Sequence, residues 1–186
     1  MNTATKGLWA GMKSVPLKGI SVSGSISAAM SEITLEQTYA NEESVAIEAV
    51  YSFPIPMNAV LLDVTIQIDD RQLTGTVTAK SDAEASYEAA IEDGDTAMIV
   101  RKVSDGVYSV SLGNLQPGER AAISYRFVML NHWNGKEMRF SLPTVISDRF
   151  GDPLDSGYDI HERPWTDLSA THPFQLALTL DETLSG

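Results

Sequence analysis

A chain of 186 residues can bury about 70% of the surface its unfolded form exposes, so it needs no disulfide or metal to hold a core. It has no cysteine, which excludes thiol catalysis, thiolate metal sites and disulfides. Its 25 acidic residues against 13 basic ones give a net charge of −12, which repels phosphate backbones and argues against nucleic acid as a partner.

The N-terminus, "MNTATKGLWAGMKSVPLKG", has two lysines but no apolar run of the kind a signal peptide requires, and no later window approaches a membrane span. The expectation is a soluble chain with no membrane segment. Its compartment stays open, cytoplasmic or cell-surface and exported, since no targeting signal is present in these residues.

Residues 1–14 form an N-terminal extension, and after them the pattern alternates at period two, as strands do. "ISVSGSIS" sets Ile20, Val22 and Ile26 against serines. "SEITLEQTY" sets Ile33 and Leu35 against Thr34 and Glu36, and "VAIEAVYSF" sets Ile47, Ala49, Tyr51 and Phe53 against Glu48 and Ser52. Pro54 and Pro56 end that strand at a sheet edge, because neither can donate to a ladder. "AVLLDVTIQID" reads as a central strand with Val60, Leu62, Val64, Ile66 and Ile68 facing in. A turn at Asp69-Asp70 leads into "QLTGTVTAK", whose threonines suit a solvated β face.

One segment breaks the pattern. "SDAEASYEAAIEDG" reads as a helix over about 82–93, with Ser81 as N-cap, Glu84 completing a capping box and Gly94 at the C-terminal left-handed position. Ala83, Tyr87, Ala90 and Ile91 fall on one apolar face, while Glu84, Glu88 and Glu92 line another. Like charges at four-residue spacing form no ligand cage, so the acidic face reads as solvated and the helix as a clasp over the open end of a sandwich.

Beyond the helix, "TAMIVRKV" and "VYSVSLGNL" form a hairpin about "SDG", "QPGE" turns the chain, and "RAAISYRFVML" carries Ile123, Tyr125, Phe127 and Met129 on one face. Gly113-Asn114-Leu115 and Pro117-Gly118 are read as bends. "NHWNG" turns into "KEMRFSLP". About nine short strands and one short amphipathic helix define an all-β chain, mainly an antiparallel β-sandwich or a partly closed barrel.

From Asp148 to Pro173 alternation stops, which marks a boundary segment. "FQLALTLD" resumes it with Phe174, Leu176, Leu178 and Leu180 on one face, and a single strand cannot bury that face alone. It either returns to the first sheet or opens a second module. The second option is preferred, so residues 154–186 are read as a linker and the first strand of a following region.

Four ordered stretches, "IEAVYSFPIPMNAVL", "KSDAEASYEAAIEDGDTAMIV", "YSVSLGNLQPGERAAISYRFV" and "RFSLPTVISDRFGDP", resemble the VIT domain (vault protein inter-alpha-trypsin domain) from about Val15 to Pro153. The segment before Arg149-Phe150 lacks the proline common in that family. The resemblance implies a β-sandwich that usually precedes a von Willebrand type A domain in a longer protein, with no catalytic residue. It implies no glycosaminoglycan link here, because Asp152-Pro153 is followed by Leu154 and not histidine. The Asp-x-Ser-x-Ser metal signature of type A domains is also missing from these residues.

Nothing else in the sequence argues for an active site. His132, His161 and His172 lack metal-ligand spacing, no Gly-x-Ser-x-Gly elbow occurs, and the acidic pairs Glu42-Glu43 and Asp69-Asp70 sit in turns. Trp9, Trp133 and Trp165 fall outside the best alternating runs; such aromatics either anchor interfaces or cover a core from a loop. Trp133 and Trp165, with Arg149 and Phe150, are the positions expected to meet a partner, which is the downstream domain or another protein. The expectation is a non-enzymatic interaction module with no metal or cofactor and with the oligomeric state left open. The alternative is a carbohydrate- or cation-binding sandwich using the acidic helix or the tryptophans.

Overall fold

The computed structural model describes residues 9–10, 13–14, 17–75, 80–144 and 172–181. In chain order the elements are β1 (Trp9–Ala10), β2 (Lys13–Ser14), β3 (Leu17–Ile26), β4 (Met30–Ala40), β5 (Ile47–Pro54), β6 (Ala59–Ile68) and β7 (Arg71–Thr74). Then follow α1 (Lys80–Glu92), β8 (Ala97–Ser104), β9 (Val107–Leu115), β10 (Arg120–Leu130), β11 (His132–Asn134), β12 (Glu137–Arg139) and β13 (Phe174–Leu180).

The strands make two stacked sheets, ordered β2-β1-β5-β9-β8 and β13-β3-β4-β10-β6-β7, with β11 and β12 as a separate hairpin. The sheets do not close into a barrel, so the sandwich half of the expectation is the one realised. Their inner faces interdigitate as alternation requires: Val22, Ile33, Leu35, Val64, Ile66, Ile123, Tyr125 and Phe127 from the larger sheet meet Phe53, Val110 and Leu112 from the smaller. Phe53 lies against Tyr125 across the sandwich with ring centroids 4.0 Å apart. Each such fully buried side chain stabilises the fold by about 1.5–3 kcal/mol relative to leaving it in water.

The larger sheet centres on β4 and β10, which pair over eleven residues from Arg120↔Ala40 to Leu130↔Met30. β6 lies next to the β7 edge and is not central. Its register slips opposite Arg126 and Phe127, where Asp63 and then Leu61 take the facing positions. That bulge reverses the side-chain parity of the start of the strand. Leu61 and Ala59 therefore pack against the core, whereas Val60 is 61% and Leu62 45% exposed, contrary to the inward placement that strict alternation assigns them.

The helix departs from expectation in its place as well as its start. It begins at Lys80, so Ser81 is helical, bonding Asp82 Oδ1, and Glu84 turns towards Arg101. Its end is as read: Gly94 has φ 82°, the Asp95 N–H reaches Ala90 C=O, and the Gly94 N–H reaches Ile91 C=O, which together satisfy the last carbonyls. The helix does not plug an end of the sandwich. It lies on the outer face of the smaller sheet, where Ile99 of β8 is buried although its neighbours Met98 and Val100 pack inward.

Gly113 is the residue that lets the helix sit there. It lies inside β9 and not in a bend, and a Cβ on it would come within 2.0 Å of Ile91 Cδ1 and 3.0 Å of the Tyr87 hydroxyl. The left-handed turn nearby belongs to Asn114, with φ 58°, whose amide donates to Ile91 C=O and Asp95 C=O. A glycine in a strand thus marks close approach of another element.

Both ends of the described chain add strands. β1 pairs with β5 (Trp9↔Val50) and with β2, so part of the stretch read as an extension belongs to the smaller sheet. β13 pairs in parallel with β3 from Phe174↔Ile20 to Leu180↔Ile26. The strand therefore takes the first of its two options and returns to the first sheet. The free edge of β3 satisfies the backbone of β13 on one side, which a solitary strand cannot do for itself.

Candidate interaction surfaces

Three places gather the residues singled out from the sequence. The first is the roof made by α1. Ala83, Tyr87, Ala90 and Ile91 are all half-buried towards the smaller sheet, while Glu88 and Glu92 are exposed. The Tyr87 hydroxyl donates to Glu48 Oε1 at 2.9 Å. Burial, reinforced by that hydrogen bond and the charge on Glu48, holds the phenol well above the ordinary tyrosine range. Arg101 answers Glu84 at 3.8 Å and donates to Ser111 Oγ at 3.3 Å. The acidic helix is thus tied to the sheet at one glutamate, and among the described residues no group of three His, Asp or Glu side chains could hold a metal ion.

The second place is one end of the outer face of the larger sheet. Met30 and Leu130 are directly opposed across β4 and β10, and Val128 opposes Val60 across β10 and β6. Met30, Val60, Leu62 and Leu130 are all exposed, the last by 67%. This apolar end gives way towards the middle of the sheet to an ionic cluster in which Arg126 bridges Glu32 (2.8 Å) and Asp63 (2.7 Å). The two carboxylates hold the guanidinium charge more firmly than in free arginine. Exposed pairs of this kind add little stability, so their main effect is to neutralise the rim of the apolar area.

Trp133 lies beside that end. It sits in β11 and not in a turn, remains 44% exposed, and donates its indole N–H to Ala28 C=O at 2.7 Å, on the turn between β3 and β4. The same turn is held by Asn131, whose amide donates to Ser27 C=O and whose oxygen accepts from buried Ser31. Trp133 is therefore an anchored, amphipathic surface aromatic. His132 is exposed next to it. Arg149, Phe150 and Trp165 lie outside the described residues, as does His161; the backbone of Trp9 is described, and it pairs in β1.

The third place is β13. Phe174, Leu176 and Leu180 are 50–63% exposed, and Leu178 alone of the four reaches the core. Sequence reasoning found this stripe but not the apolar end of the outer face. The bulge that exposes Val60 and Leu62 depends on pairing with β10, about sixty residues later, and leaves no local mark.

Among the described residues the fold is a mainly antiparallel two-sheet sandwich with a helix on one outer face and apolar side chains left on the other. The chain belongs to the VIT family: the model of the vault protein inter-alpha-trypsin domain matches residues 17–127, more than half of its length. It is 33% identical over 139 residues to rat von Willebrand factor A domain-containing protein 5A, covering 73% of this chain and 17% of that protein. The human protein of the same name matches equally, over 18% of its length. Human protein mono-ADP-ribosyltransferase PARP4 is 29% identical over 133 residues, covering 72% of this chain and 8% of that protein. The chain thus corresponds to the VIT region of proteins several times its length, one of them named as an enzyme. No helix among the described residues is long and apolar enough to cross a membrane.

Proposed function

We propose that this chain is a non-catalytic interaction module: the VIT domain of a longer protein of the VIT and von Willebrand type A kind, packing against its neighbour in that protein or against another protein. The observation that carries this reading is the apolar end of the larger sheet, where Met30, Val60, Leu62 and Leu130 cluster beside the anchored Trp133. Scattered exposed apolar residues are ordinary, whereas contiguous ones rimmed by polar groups mark contact surfaces. Trp133 adds a large, rigid side chain at small entropic cost, as interface anchors do.

Arg149, Phe150 and Trp165, which lie outside the described residues, belong to the same proposal as the partner-facing positions expected from the sequence. The test compares the rotational tumbling of this domain alone and within the longer polypeptide, by NMR relaxation. Slow, joint tumbling that Leu130→Glu with Val60→Glu uncouples supports the reading. Independent tumbling in the wild-type longer protein, with no other protein bound, would defeat it.

A further inference from the structure

The edge of β13 differs from the edges that folded proteins normally leave in water. Natural edge strands are defended by charge, proline, bulges or shortness, because an open ladder recruits other strands. Here seven residues, Phe174 to Leu180, carry no charge and no proline in a chain that is 20% charged.

The hydrogen bonds define which groups are open. Pro173 C=O accepts from Ile20 N–H, and Asp181 N–H donates to Ile26 C=O, so odd-numbered residues turn their backbone towards β3. Alternation then puts the backbone groups of Phe174, Leu176, Leu178 and Leu180 on the other edge, which no strand among the described residues pairs with. The side chains of the same four residues share the face of Ile20, Val22 and Ile26, with Leu176 beside Val22 and Leu180 beside Ile26. Val22 and Ile26 are buried, yet Leu176 and Leu180 are more than half exposed. The core-side face of the sheet therefore runs one strand past its cover.

We infer that β13 is a bridging strand: its free edge is a strand-addition site for an extended segment of the same polypeptide lying outside these 186 residues. That segment would complete the ladder and cover Leu176 and Leu180. This rests on the reading of the chain as one module of a longer protein, supported by the 17% share of its rat relative that it spans. A second copy is the weaker occupant, because two chains that each carry a net charge of −12 repel one another, whereas a tethered segment is already at high effective concentration.

Residue-resolved amide hydrogen exchange on the 186-residue chain and on the longer polypeptide tests this. In the shorter chain Gln175, Ala177 and Thr179 should exchange slowly and Leu176, Leu178 and Leu180 fast. In the longer one those three leucine amides should slow by at least about tenfold. Leu176→Pro removes a free-edge donor without touching the β3 ladder, and should abolish the added protection while the amides of Tyr125 and Phe127 stay slow.

Unchanged leucine exchange in a longer protein whose domains still tumble together would overturn the inference and leave the proposed function standing. Protection already present in the shorter chain and rising with its concentration would also overturn it, in favour of a second copy. Independent tumbling with fast leucine exchange would defeat both.

Discussion

The two outer faces of this sandwich are treated in opposite ways. On the smaller sheet the chain covers its own surface: Ile91 and Tyr87 rest over Gly113, and Ile99 is buried beneath a helix that belongs to the same 186 residues. On the larger sheet the outer apolar end around Val60 and Leu130 is left bare, and at the sheet's edge the core-side face of β13 is left bare as well. Both outer faces carry apolar side chains, Ile99 on the one and Met30, Val60, Leu62 and Leu130 on the other. What separates them is whether a cover is present among the described residues, and the bare face is the one the proposed interface would bury.

The comparison breaks first at Gly113. Gly113→Val should force the helix off β9 and destabilise the domain by roughly 2–3 kcal/mol by overpacking, read as a lower urea midpoint. Ile91→Ala in the same chain should recover part of that loss; if the two changes simply add, the helix does not rest where the structure places it.

Next comes Tyr87. Tyr87→Phe deletes the bond to Glu48 and should cost about 0.5–1.5 kcal/mol near neutral pH. The wild type has a pH signature as well. The folded phenol is held above the ordinary value of about 10, so above pH 10 the unfolded chain loses that proton first and binds fewer protons than the folded one. Its contribution is fully present below pH 10 and is lost as pH rises through the folded value. Thermal stability should consequently fall more steeply above pH 10 in the wild type than in Tyr87→Phe.

On the open side, substitutions should leave the fold nearly untouched. Val60→Thr and Leu130→Gln are expected to shift stability by no more than about 0.5 kcal/mol, measured by denaturant titration, while weakening contact with the rest of the longer protein. A large loss at either position would mean that the apolar end is structural and not a contact surface. The smallest effect is expected at Arg126: Arg126→Gln should lower the melting temperature slightly at low salt, and the difference should vanish as salt screens the Glu32 and Asp63 pairs.

How far the sequence reaches differs between these regions for one physical reason, the span of chain over which each feature is decided. Alternation over Ile123, Tyr125, Phe127 and Met129, the turns at Gly106 and Gly118, and the helix stop at Gly94 are settled by neighbours a few residues apart, and they were legible without coordinates. The ordered motifs that identify the VIT family were equally legible, since a family is a pattern of such local choices. Three features only the tertiary structure decided. The bulge opposite Arg126 and Phe127 reverses the faces of Val60 and Leu62, the contact between Ile91 and Gly113 sets the helix on an outer face and not at an end, and the open edge of β3 claims a strand more than 140 residues away. Each depends on which surfaces remain free once the two sheets have stacked, a property no window of sequence contains.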